Sequence, residues 1–157
     1  MIEQIYTYFT IEMIYLWLNI GVLPFWFTLL FFPQSKICKI FVTSIFPILI
    51  FVAVDLYLIL EFIKINFNLL EGFSLYIGLN ELINLLSNEN FLVLFWIHFL
   101  AINLFCGCWI VRDYQKIDMP KVLASFTLIL TYFTGPLGLF MYWLIRVFFG
   151  KKIDLYD

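Results

Sequence analysis

Four apolar stretches, each long enough to cross a lipid bilayer, occupy most of this 157-residue chain. They run from about Glu12 to Phe32, Ile37 to Ile63, Phe91 to Val111 and Val122 to Phe149, and Pro33 stops the first. A helix needs about 20 residues to cross ~30 Å of hydrocarbon. The extra length of the second and fourth stretches implies tilt, kinks or protrusion into the interface. Apolar residues make up 64% of the chain and charged residues 13%. A soluble domain carries about 45–50% and about 25%, so lipid is the solvent these helices are built for.

The expected fold is all-α: one polytopic integral membrane domain over residues 1–157, a four-helix transmembrane bundle. Loop two holds a different kind of segment, Phe73 to Leu86. Leu75, Leu79, Leu82 and Leu86 mark one helical face, and Asn80, Glu81, Asn84 and Asn88 lie mostly away from it. This length rises only ~21 Å as a helix, which predicts an amphipathic helix at the membrane interface.

The first eleven residues contain no Lys or Arg, so the basic region of a secretory signal peptide is missing. Ala occurs only at positions 53, 101 and 124, while Ile, Phe and Asn abound, as in AT-rich genomes. The expected location is therefore multi-pass in a bacterial inner (plasma) membrane. Lys36, Lys39, Arg112, Lys116 and Lys121 in loops one and three favour a cytoplasmic position for both loops, hence an external N-terminus. Against them stand Lys64, Arg146, Lys151 and Lys152, which four spans put on the other side.

A formal charge of −2 and the lack of a basic tract exclude nucleic acid as a partner. Cys38, Cys106 and Cys108 are odd in number and lie in or beside apolar stretches, so they read as buried filler rather than as disulfides. With one His and no facing carboxylate pair, no metal centre is expected. No nucleotide-binding, hydrolase or zinc-protease motif is present.

Polar groups at membrane depth are costly and point to function. Asp55 lies eight residues before the end of the second stretch, and His98 seven residues into the third. Antiparallel neighbours would bring both ~10–12 Å below one membrane face. Asn19, seven residues into the first stretch, reaches the same layer, and Asn103 lies deeper. Interhelical hydrogen bonding is the plain alternative for each, worth about 0.6 kcal/mol, and for Asn19 it is the favoured reading. Pro24, Pro47 and the element Gly135-Pro136-Leu137-Gly138 break backbone hydrogen bonds, and the last could line a cavity. Arg112 and Asp113 close the third stretch, where a solvated helix end is the expectation and an anchor for loop three the alternative.

Several of these stretches together resemble one family. They are Val22-Leu23-Pro24-Phe25-Trp26 with Pro33, Ser44-Ile45-Phe46-Pro47 and Leu56-Tyr57-Leu58, followed by Trp96-Ile97-His98-Phe99-Leu100, Asn103-Leu104-Phe105, Asp113 and Gly135-Pro136-Leu137-Gly138-Leu139. In this order they are similar to the abscisic-acid-deficient-four-like membrane proteins, the family of plant neoxanthin synthase. The resemblance implies isomerisation of a xanthophyll: a 5,6-epoxide opens and a proton leaves carbon 7, giving an allene and a tertiary alcohol. One acid and one base suffice, with no redox cofactor. His98, Asp113, Pro24, Pro47, Pro136 and Gly138 match family positions. Asn103 stands where the family pattern has Asp, and Asp55 stands where it has an aromatic residue.

The expected function is carotenoid or isoprenoid modification inside the bilayer, isomerase-like if enzymatic. His98 and Asp55 would carry the acid/base chemistry. Asn103, Asn19, Gly135, Pro136, Gly138 and Asp113 would shape the binding site. The expected partners are an apolar carotenoid or lipid-like ligand entering from the membrane lipids, and a second copy of the chain, since four helices bury little surface. A non-catalytic pigment- or lipid-binding scaffold is the alternative, and a small transporter the third reading.

Overall fold

A computed structural model describes residues 9–64 and 76–150, and every regular element among them is helical. These are α1 (Ile11–Phe31), a π-helical turn (Cys38–Val42), α2 (Phe46–Lys64), α3 (Leu79–Leu86), α4 (Glu89–Tyr114), α5 (Lys121–Thr134) and α6 (Pro136–Gly150). Three segments are long and apolar enough to cross a membrane: Ile11–Phe31, Cys38–Lys64 and Glu89–Tyr114. The described residues fall into two compact units, one within Met1–Gly21 and Ile48–His98, the other within Val22–Pro47 and Phe99–Asp157.

Local signals set the helix ends. Thr10 Oγ1 accepts from the Met13 amide at 3.3 Å and opens α1. Asn88 Oδ1 accepts from the Asn90 and Phe91 amides at 3.1 and 3.2 Å and opens α4. Each satisfies donors that a first helical turn leaves without partners. Pro47 falls in the first turn of α2 rather than in a helix interior. Its missing N–H is no loss there, so the break expected in the second stretch is a helix start preceded by bends at residues 43–45.

The helix expected over 73–86 is described from Leu79 to Leu86, and residues 73–75, with Leu75, lie outside the described residues. Gly78 is extended and stops it on the N-terminal side. The apolar face also differs: Leu85 is buried at 8% exposure while Leu79 is 70% exposed.

The fourth apolar stretch departs most from expectation. It is not one helix over 122–149 but two, of 14 and 15 residues, meeting at Gly135. Gly135 takes φ 54°, a left-handed conformation suited to glycine after a helix end. Pro136 then occupies the first position of α6, where its fixed φ is already helical. The pair folds back on itself. A Cβ on Gly138 would collide with the backbone of Thr131, and one on Gly150 would lie 3.6 Å from Ile117, just before α5 begins. Both ends of this hairpin therefore lie by the C-terminal end of α4, with Gly135 at its tip. Ala124, Thr127 and Thr131 on α5 and Gly138, Tyr142 and Arg146 on α6 are its buried residues. Small side chains on α5 and the glycine allow the close approach.

Candidate functional site

Polar clusters and clefts emerge among the described residues, each inside one unit. In the first unit, α2 carries Asp55 and α4 carries His98. Asp55 Oδ2 stands 3.9 Å from His98 Nε2, just beyond hydrogen-bond range. The His98 side chain is 59% exposed and that of Asp55 19%, so the imidazole faces outward with the carboxylate behind it. His98 Nδ1 lies 2.8 Å from the Leu94 carbonyl one turn back. A carbonyl only accepts, so Nδ1 carries a hydrogen and Nε2 is the atom left to gain or lose a proton toward Asp55. The other carboxylate oxygen, Asp55 Oδ1, is buried without a hydrogen-bond partner. Buried acceptors normally have one, so this oxygen is suited to a group the protein itself does not supply.

Asn19 shares this unit but serves a different purpose. Its Nδ2 donates to Tyr15 O at 2.7 Å, and its Oδ1 accepts from the Trp96 indole at 3.2 Å. It ties α1 to α4, the interhelical role weighed as its alternative. Beside it, Ile11, Tyr15, Leu92, Val93 and Trp96 line a mainly apolar cleft of about 480 Å³ that Glu12 and Glu89 border.

In the second unit, Asn103 is 2% exposed and donates from Nδ2 to Tyr132 O at 3.3 Å. Tyr132 O is among the last carbonyls of α5, which have no donor ahead of them in the helix. Asn103 therefore caps a carbonyl that the hairpin tip frees, and Gly135 packs directly on its Oδ1. Of the residues expected to shape a binding site, Asn103 on α4 thus meets the hairpin tip at Gly135, Pro136 follows it, and Gly138 packs on Thr131 of α5.

Asp113 is buried at 5% exposure, not solvated. Its Oδ2 accepts from Arg146 Nε at 2.6 Å and from Tyr142 OH at 2.7 Å, and its Oδ1 accepts from Arg146 Nη2 at 3.2 Å. Trp109 meets the Tyr142 ring edge-on at 5.5 Å. The helix end expected in water is an anchor instead, because a carboxylate with three donors no longer needs water. Sequence reasoning missed Arg146 and Tyr142. Their i, i+4 spacing on one face was the available signal.

Trp26 is 3% exposed, packing over Gly107 and against Tyr132. The three cysteines are free thiols, and Cys108 Sγ donates to Val42 O at 3.3 Å. Among the described residues no group of three or more His, Cys, Asp or Glu is placed to hold a metal ion.

A family model described as ABA DEFICIENT 4-like matches residues 13–142, most of the chain. No curated protein and no solved structure shows significant similarity to it.

Proposed function

Because the chain belongs to the ABA DEFICIENT 4-like family, we propose that it modifies a carotenoid or related isoprenoid within the bilayer, as an isomerase resembling neoxanthin synthase. Family membership supports the carotenoid- or abscisic-acid-related part of this reading. The Asp55–His98 pair carries the chemical part, since it is a proton donor and acceptor 3.9 Å apart with an outward-facing imidazole. Opening an epoxide to an allene is proton-neutral. One member of the pair protonates the epoxide oxygen as its bond to the ring carbon breaks. The other removes the proton at carbon 7, whose bonding electrons become the new double bond. The proton then crosses from base to acid, which resets the pair with no redox partner. An apolar substrate arriving from the lipid meets His98 first.

In this reading α1, Cys38–Lys64 and α4 cross the bilayer, and α3 lies at the interface. α5 and α6 form a re-entrant hairpin that enters and leaves by one face. Helices of 14 and 15 residues rise only about 21–23 Å and do not cross singly. The ion pair between Asp113, at the end of α4, and Arg146, near the end of α6, supports the return.

The test is expression in a carotenoid-producing bacterium with pigment profiling. Wild type should yield an isomerised pigment, and His98→Ala and Asp55→Asn should each abolish it. Equal product from His98→Ala would leave a pigment-binding scaffold in place of an enzyme.

A further inference from the structure

The two compact units divide the chain's charge unevenly. Glu3, Glu12, Asp55, Glu61, Glu71, Glu81 and Glu89 all belong to the unit within Met1–Gly21 and Ile48–His98, whose sequence holds Lys64 as its one Lys or Arg. Lys64 sits 2.6 Å from Glu61, and the single His, His98, faces Asp55. That leaves Glu12 and Glu89 with no lysine or arginine of their own unit to pair with. Both border the mainly apolar cleft of about 480 Å³ between α1 and α4. Glu12 lies in the first turn of α1 and Glu89 in that of α4. Complementing a helix dipole accounts for a carboxylate in a first turn. It does not account for two of them at the mouth of one cleft that also holds aromatic rings.

The cleft is graded from charge to oil. At the helical rise per residue, Tyr15 lies about 5 Å deeper along α1 than Glu12, and Trp96 about 10 Å deeper along α4 than Glu89. The Trp96 indole is held by Asn19 Oδ1 at 3.2 Å, and the Tyr15 ring stands 6.0 Å from it, centroid to centroid. Leu92 and Phe95, 47% and 53% exposed, carry the apolar surface of α4 on toward the hydrocarbon. Carboxylates at the rim, aromatic rings beneath and an apolar wall beside them match an organic ammonium carried on an apolar body. A dissolved inorganic cation has no use for the rings or the wall.

We propose that this cleft seats the ammonium head of an amine-headed phospholipid of the phosphatidylethanolamine class. A primary ammonium carries three N–H donors, enough for both carboxylates at once, whereas a quaternary choline head carries none. The lipid source follows from position. The mouth lies where α1 and α4 begin, the level at which apolar helices enter hydrocarbon. A lipid already in the membrane brings its head to that level and lays its acyl chains along Leu92 and Phe95. The phosphate of the same head meets the positive ends of the two helix dipoles.

The experiment uses the full chain in phosphatidylcholine nanodiscs doped with phosphatidylethanolamine, reading retained lipid by native mass spectrometry. Wild type should retain phosphatidylethanolamine well above its share of the disc, and retention at that share overturns the proposal. Glu12→Gln/Glu89→Gln should retain about tenfold less than wild type, the scale of a charge-assisted hydrogen bond. Glu81→Gln/Asp118→Asn removes the same charge elsewhere and should retain the lipid as wild type does. Tyr15→Leu keeps every charge and should still lose several-fold through the missing ring face, and circular dichroism confirms that each variant is folded. Equal loss from both charge variants, loss from neither, or full retention by Tyr15→Leu overturns the site. Dissolved ethanolamine serves as competitor: weak displacement supports a lipid headgroup, and displacement as effective as added phosphatidylethanolamine overturns the lipid in favour of a soluble amine.

Discussion

Asp113 and Arg146 meet at 5% and 1% exposure, so each offsets the other's buried charge. Removing one partner leaves an uncompensated buried charge, which costs about 3–5 kcal/mol. Asp113→Ala should therefore unfold far more readily than wild type in a detergent-denaturation titration followed by helicity. The double variant Asp113→Leu/Arg146→Met should recover most of that loss, because no charge remains buried. If the double variant is as weak as the single one, the ion pair is not what holds α4 to α6. The pair at Asp55 and His98 is built differently. It lies at 3.9 Å with an exposed imidazole, so His98→Ala should leave the denaturation midpoint nearly unchanged while pigment conversion is lost. Stability and activity thus separate the two charge pairs in one set of measurements.

At the scale of elements, α4 acts as a spine whose polar side chains answer carbonyls freed where other segments break. Asn103 caps Tyr132 O at the hairpin tip, Cys108 reaches Val42 O after the π-helical turn, and just beyond α4 Gln115 reaches Pro33 O after α1. In hydrocarbon no water can take these roles. The arrangement explains why an amide serves at position 103: an ionised carboxylate only accepts hydrogen bonds and has none to give Tyr132 O. Asn103→Ala should cost about 1 kcal/mol, the scale of interhelical hydrogen bonds in membranes. Gly138→Ala should destabilise by about 1–3 kcal/mol, since the added methyl meets the Thr131 backbone rather than a movable side chain. The measurement is again the denaturation midpoint.

For the whole molecule, the hairpin changes the charge balance across the membrane. With four spans, the basic residues divide almost evenly and orientation is weakly set. If the hairpin is re-entrant, as proposed, the sequence after α6, which contains Lys151 and Lys152, would follow on the side of Lys36, Lys39, Arg112, Lys116 and Lys121. Arg146 is neutralised inside, and Lys64, on the other side, sits 2.6 Å from Glu61. The N-terminus should then be external and the C-terminus cytoplasmic. Cysteines placed at residues 4 and 155 in a Cys38→Ser/Cys106→Ser/Cys108→Ser background should label from opposite sides of the membrane with an impermeant maleimide. Labelling from one side would restore a fourth crossing and sink the hairpin.

Hydropathy and length alone determined that the chain is helical and rich in segments made for lipid; of the four expected to cross, three are long enough as single helices, with ends within a few residues of those expected. The same counting of depth along antiparallel helices put Asp55 and His98 at one level. These properties are additive along the chain, so a sequence displays them. Only the tertiary structure decided that the fourth apolar stretch doubles back, that Asp113 is anchored by Arg146 and Tyr142, and that Asn103 serves a backbone carbonyl. Hydropathy measures how much oil a segment holds and is blind to the direction the chain takes after a glycine with positive φ. Partners thirty residues apart are chosen by that direction, since a carbonyl or carboxylate in the core bonds whichever donor the fold carries to it.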